Sequence, residues 1–415
     1  MVSTSFSQDK EVAKLVDKFI DTIETRSFMR QHVDFDKLRE DARSATKDVM
    51  HTDSLLQPFR TIVYSLKDSH SSVALSEDKE DELSLIKMLA TITYEEAGMA
   101  PPHFHHKMIN NKYAYINVPG VVLEHYKYLD TLQKQIQELD DHNPLAWIID
   151  LTQNDGGSFL PMVIPFHSLI DTTYTFSYAT GGLNKDGSEE LVDKFRIPKD
   201  GLYIDKSTEA RYFKLDSIQA PPIKNNSVPI VVLISAVTAS SGEITALHFL
   251  GQNNVTVVGT KSNGLTSTNE LFYIDKGYSI NLMTGVLHDR KGKTYKIGER
   301  ITPDVLVDLN FSDDMDYKVR KKLILDNNDA FLDKALEVLS RWFGPVLSLS
   351  RCTSSFNSEM ALETGLMKRP LLGARNLVKI LEALFILALS CVMNLDRHLG
   401  YNDLEVEGIC WGTLP

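Results

Sequence analysis

Two adjacent serines, Ser240 and Ser241, lie in the passage SAVTASSGEITALHFLGQNNVTVVG (235–259), and either hydroxyl could act as the nucleophile of an acyl transfer. An apolar strand is predicted to end near Val237 and a helix to begin near Gly242, which puts both serines on a strand-to-helix turn. Such turns sit at the C-terminal edge of an open α/β sheet, where ligand crevices form. The helix start supplies unbonded N–H groups and the positive end of a dipole. A developing oxyanion needs donors of that kind, each worth on the order of 3–4 kcal/mol. The same letters, Ser240-Ser241-Gly242-Glu243, also spell a capping box in which serine closes the helix end and glutamate reaches back. On local pattern alone the cap is the simpler account, so companions elsewhere in the chain must decide.

The elements around this turn follow from hydrophobic periodicity. Residues 9–66 read as helical, with Val12, Leu15, Val16, Phe19 and Ile20 on one stripe, and 79–98 read as a further polar-faced helix. From KYAYINV (112–118) onward the pattern changes. PLAWIID (144–150), VPIVVLISAV (228–237) and VTVVG (255–259) are continuous apolar runs of strand length, suited to strands buried on both faces. Helical stretches at 126–141 and 242–251 separate them, which predicts an α/β layered domain with right-handed crossovers. Residues 176–226 read as hairpins and loops, and 329–342 as a closing helix.

Four stretches, in order, resemble the C-terminal-processing (tail-specific) serine peptidases. TASSGE followed by VTVVG is similar to that family's nucleophile segment, LKDSHSS (66–72) to its L-x-D-x-H-S segment, AWIIDLTQNDGG (146–157) to its strand and glycine loop, and IGERITPDV (297–305) to its closing segment. Together they cover about residues 60–340. The resemblance implies a crotonase-like α/β core of peptidase type behind a helical N-terminal subdomain. It also implies Ser240 as nucleophile.

The family has two catalytic arrangements. In the tail-specific branch the base is a lysine, but Leu265 stands at that position here and Lys261 is displaced by four residues. The tricorn-like branch uses a histidine of a Ser-His pair, present here as Ser69-His70, and a distant glutamate, here Glu299. By that resemblance His70 takes the Ser240 proton and gives it to the leaving amine, while Glu299, through Ser69, orients His70. The oxyanion donors implied are the Ser241 N–H and that of Gly156 or Gly157, although Thr152 and Asp155 depart from the family's arginine and glycine. Only about 40 residues separate His70 from the strand at Lys112, below the roughly 50-residue floor for a domain, so no PDZ module is expected.

The expected organisation is a helical subdomain at 1–75, a helix and linker at 76–111, the peptidase core at 112–342 and an atypical tail at 343–415. That tail carries all three cysteines, Cys352, Cys391 and Cys410, so no disulfide framework is expected for the main fold. Its apolar run within 380–395 is shorter than the roughly 20 residues of a spanning helix, and a buried or partner-covering helix is expected rather than a membrane anchor.

The 415 residues are 43% hydrophobic and 24% charged, as in soluble globular proteins, and the net charge of −12 argues against a nucleic-acid partner. The N-terminus shows no apolar h-region, which predicts a cytoplasmic location. His103, His105 and His106 have no Cys or acidic partner at ligand spacing and read as a solvated loop. No metal or organic cofactor is implied. The expected substrate is a peptide or unfolded protein, and a homo-oligomer is compatible with the sequence. The main rival is a non-catalytic, retinoid-carrier-like binding protein on the same fold; an acyl-CoA enzyme is a third reading.

Overall fold

The structure is a computed structural model, which describes residues 3–68, 70–76, 81–171, 175–186, 188–309, 312 and 315–343. Ser69 and the tail beyond Phe343, with its cysteines and the 380–395 run, lie outside the described residues. In chain order the elements are α1 (Ser3–Arg26), α2 (Phe35–Thr46), α3 (Leu56–Ser65), β1 (Ser72–Leu75), α4 (Glu82–Thr91), β2 (His106–Ile109), β3 (Tyr113–Asn117), α5 (His125–Asp140), β4 (Ala146–Asp150) and α6 (Leu160–Val163). They continue as β5 (Thr175–Leu183), β6 (Glu189–Arg196), β7 (Leu202–Ile204), α7 (Thr208–Tyr212), β8 (Ser217–Gln219), β9 (Ile230–Ile234), α8 (Ser241–Phe249) and β10 (Val255–Gly259). The last described elements are β11 (Ser267–Asp275), β12 (Tyr278–His288), β13 (Val305–Leu306), α9 (Tyr317–Asp326) and α10 (Asn328–Phe343). None of the described helices is long and apolar enough to cross a membrane.

The apolar runs become the centre of a six-stranded sheet of order β13-β10-β9-β4-β3-β2, parallel except for the β2–β3 pair. Alternate residues of each run enter different cores, which is why the runs show no polar face. Trp147, Ile149, Val232 and Val257 pack with Leu132, Met162 and Leu247 on one side. Ile148, Val231, Leu233 and Val258 pack with Ile324, Phe331 and Leu339 from α9 and α10 on the other. The predicted mixed α/β layering is therefore present.

A second, antiparallel sheet joins β1, β5, β6, β11 and β12. The N-terminal helices share its core: Val16, Phe19, Ile20 and Phe59 pack with Val73, Ile274, Tyr278 and Ile280. Phe19 stacks on Phe59 with ring centroids 3.9 Å apart, and Tyr278 meets Phe59 edge-on. The Tyr278 hydroxyl donates to Thr52 O at 2.8 Å and accepts the Leu55 N–H at 3.1 Å. This sheet matters for function because β1 follows His70 directly and holds that segment against β12, with Ser72 opposite Asn281 and Val73 opposite Ile280.

Candidate active site

Ser240 lies between β9 and α8 with φ 49° and ψ −118°, a backbone conformation that costs a non-glycine residue on the order of 1–3 kcal/mol and persists only when its surroundings enforce it. The enforcement is visible. Thr238 Oγ1 donates to Leu151 O at 2.8 Å, the Ala239 N–H to Asn154 O at 3.0 Å, and Ser235 Oγ to Thr152 O at 2.5 Å. Gly242 completes the contact, since a Cβ there would lie 2.7 Å from Asn154 Oδ1 and 2.8 Å from Asn154 O.

Behind the turn, fully buried Glu243 accepts the Ser240 N–H at 3.0 Å, the Gly264 N–H at 2.8 Å and the Ser262 hydroxyl. The carboxylate half of the capping box thus forms. The glutamate also ties the turn to the 262–264 loop, which the sequence pattern did not indicate. Burial raises the Glu243 pKa to about 7 against these donors.

The two serines differ in their commitments. Ser241 Oγ donates to Gly157 O at 2.5 Å, so its hydroxyl holds the glycine loop in place. In that loop Gly156 and Gly157 have φ of 113° and 112°. A Cβ on Gly157 would stand 1.8 Å from Val121 O, so only glycine fits. The Gly156 N–H is occupied by Asn154 Oδ1 at 3.0 Å. No hydrogen bond of the Gly157 or Ser241 N–H is found among the described residues. Asp155, where the family has glycine, binds Tyr317 Oη at 2.7 Å and Lys321 Nζ at 2.6 Å, anchoring the loop to α9.

Ser240, Ser241, Gly157 and His70 line one cleft of about 580 Å³, roofed by α4 and by Phe213 just after α7. His70 is buried, and that burial lowers its pKa to about 4. Its loop is fastened by Asp68, whose Oδ1 accepts the N–H groups of His70 and Ser71 at 3.1 and 2.9 Å, and by Ser71 Oγ, which accepts the Met283 N–H at 2.8 Å. A broader depression of about 830 Å³ beside Ser168, Asp200 and Asn253 holds none of the candidate catalytic residues.

Among the described residues, Glu299 is held by groups close to it in sequence. Its carboxylate pairs with Lys293 Nζ at 2.7 Å and accepts the Lys296 N–H at 3.1 Å, and it does not line the cleft. The Lys293 hydrogen bond holds its carboxyl below the ordinary range. The ring nitrogen Nδ1 of His70 instead meets Ser267 Oγ at 2.5 Å. The short 297–301 loop directs Glu299 to its own flanking lysines, and sequence position alone could not reveal that. Ser69, the intermediary expected for Glu299, lies outside the described residues. Leu265 is buried and Lys261 exposed, and among the described residues no lysine lines the cleft. Of the three histidines read as a solvated loop, His106 instead begins β2, and its Nε2 pairs with Glu138 at 2.8 Å.

Residues 112–307 match the pattern of peptidase family S41. The chain carries a peptidase family S41 domain. Ser240 and the glycine loop fall inside the matched S41 segment, whereas His70 precedes it. A nisin-resistance protein of Lactococcus lactis subsp. lactis is 30% identical over 180 residues, spanning 40% of this chain and 48% of that protein. The chain therefore matches about half the length of that curated relative. A lipoprotein structure from Streptococcus agalactiae has a TM-score of 0.51 at 22% identity, covering 71% of this chain and 91% of that one. The structure of a photosystem II D1 C-terminal processing protease has a TM-score of 0.47 at 13% identity, covering 72% and 93% of the two chains. The S41 domain thus brings the β9–α8 turn and the glycine loop together, and the N-terminal region adds the histidine.

Proposed function

We propose that the protein is a serine peptidase in which Ser240 attacks a peptide carbonyl, with His70 as general base. The observation that supports this most strongly is one cleft, in a chain with an S41 domain, lined by a serine on an enforced turn and a buried neutral imidazole. In the first step the Ser240 proton passes to His70, the Oγ–C bond forms, and the tetrahedral oxyanion is received by the N–H groups of Gly157 and Ser241. Collapse expels the amine, which takes the proton from His70, and leaves an ester on Ser240. Water then hydrolyses the ester by the same proton route in reverse.

The cleft also bears on the substrate. Glu82, Glu209 and Glu270 line it, with no lysine or arginine among its described residues. Although the Glu209 side chain reaches solvent, the packing around it and the nearby Asp205 and Glu82 raise its pKa, which a bound cation would offset. A peptide with basic side chains is thus preferred over an acidic one. With a matched set of basic, neutral and acidic peptides, and nisin as one member because a relative is named for resistance to it, the basic members show the lower KM. That advantage shrinks as salt is raised from 50 to 500 mM. Equal KM values at all salts would remove the charge argument.

The peptidase reading itself is tested with a fluorophosphonate probe and peptide mapping. Labelling is expected on Ser240, lost in Ser240→Ala and retained in Ser241→Ala. Folded protein that takes no label would favour the binding-protein alternative.

A further inference from the structure

We infer that Ser267, backed by Asn269, is the positioning residue that sets the His70 ring for catalysis. The inference rests on the peptidase reading above, and it replaces the carboxylate of a Ser-His-acid triad with a neutral pair on β11.

The bonding follows from what each atom can do. The His70 carbonyl oxygen can only accept, and Asn269 Nδ2 donates to it at 2.7 Å. That contact orients the Asn269 amide and turns its Oδ1 the other way, where it lies 3.5 Å from Ser267 Oγ. An amide oxygen also only accepts, so this contact, long for a hydrogen bond, favours the Ser267 hydroxyl proton turned toward it. With its proton turned that way, Ser267 Oγ offers a lone pair to His70 Nδ1, 2.5 Å away, and this bonding assigns the ring proton to Nδ1. Nε2 is left bare, as a general base for Ser240 requires. In the opposite arrangement, with Ser267 donating to Nδ1, Nε2 would carry the proton and could not accept another.

The surroundings supply no rival for this role among the described residues. Asp68 accepts the backbone N–H groups of His70 and Ser71 and, through Oδ2, the Ser71 hydroxyl. Glu270 accepts from Thr284 Oγ1 at 3.3 Å, and Glu299 is held by Lys293. Ser267 is itself buried, so water does not compete for the ring nitrogen.

The test uses the full chain labelled with ¹⁵N-histidine, the His70 signals being assigned by difference from His70→Gln. Two-bond proton–nitrogen correlation spectra report which ring nitrogen carries the proton, and the rate of fluorophosphonate labelling is measured in parallel. Expected are an Nδ1–H tautomer in the wild type, a shift toward a mixed population in Ser267→Ala with labelling slowed about tenfold, the worth of one neutral hydrogen bond, and recovery of both in Ser267→Thr. An Nε2–H tautomer in the wild type overturns the inference, even if Ser267→Ala fails to fold. So does a folded Ser267→Ala with wild-type tautomer and labelling rate. A wild type with the Nδ1–H tautomer that takes no probe sinks the peptidase reading and leaves the ring assignment standing.

Discussion

Replacing His70 with alanine lowers kcat/KM for a cleaved peptide by about 10²–10⁴-fold, the usual contribution of a general base, while leaving the fold intact. Glu299→Gln, by contrast, stays within about twofold, because a partly exposed ion pair with Lys293 contributes little. Steady-state kinetics on the three proteins, with circular dichroism as a fold control, decides both. The pH profile makes the prediction sharper. A free imidazole titrates near 6.5, but burial lowers His70 to about 4, and among the described residues no acidic partner offsets this. The charged groups facing it are Asp68, committed to the backbone and to Ser71, and exposed Glu270 across the cleft. A base must be unprotonated to act, so kcat/KM rises as pH climbs through about 4 and is level by pH 6. An acid limb centred near 6.5 or higher would mean that a carboxylate faces the ring, and the triad form would return.

The second large effect is on stability and comes from Glu243. In Glu243→Gln one carboxylate oxygen becomes an NH₂ group, which confronts either the Ser240 N–H or the cluster of Ser262 and Gly264 donors. Leaving a buried donor unmatched costs about 1–3 kcal/mol, and the Ser240 turn loses one of its restraints. The pH dependence has a definite sign. A glutamate at its ordinary 4.5 when unfolded and about 7 when folded binds more protons in the native state between those values. Its contribution is therefore complete below pH 4.5 and is lost as pH rises through 7, by on the order of 3 kcal/mol. Neutral, buried His70, His125 and His248, each lowered to about 4, act in the opposite direction below pH 6.5. Wild-type stability alone cannot separate these, but the difference between wild type and Glu243→Gln can. Urea denaturation at pH 5 and pH 8 should show a deficit that is larger at pH 5. A deficit that grows with pH would mean Glu243 is ionised in the native state throughout.

Much of the six-stranded sheet was legible because burial on both faces leaves a local mark. AWIID and IVVLI have no polar face to interrupt them, and they form strands at 146–150 and 230–234. The turn at Ser240 was legible for the same reason, as the place where such a run gives way to helical spacing. Of the second sheet, the β5–β6 hairpin falls in the stretch that reads as hairpins and loops (176–226), whereas β11–β12 is not legible in the same way. Its hairpin did carry a signal: Lys276 and Gly277, with φ of 52° and 84°, form the two-residue connection between β11 and β12. Even with that hairpin recognised, nothing local says that β12 takes β1 as a neighbour some 200 residues away.

The order of apolar and polar residues by itself determined the buried strands of the six-stranded sheet and the helices between them, and where a reactive serine could be exposed. These are short-range properties, set by backbone preference and by the need to hide nonpolar surface. Tertiary structure decided which residue faces the imidazole. Ser267 reaches His70 across 197 positions, whereas Glu299 is captured by Lys293 six residues before it. A hydrogen bond of a few ångströms depends on how β1, β11 and β12 pair and pack against the N-terminal helices, and that long-range pairing leaves no mark in the spacing of the residues themselves.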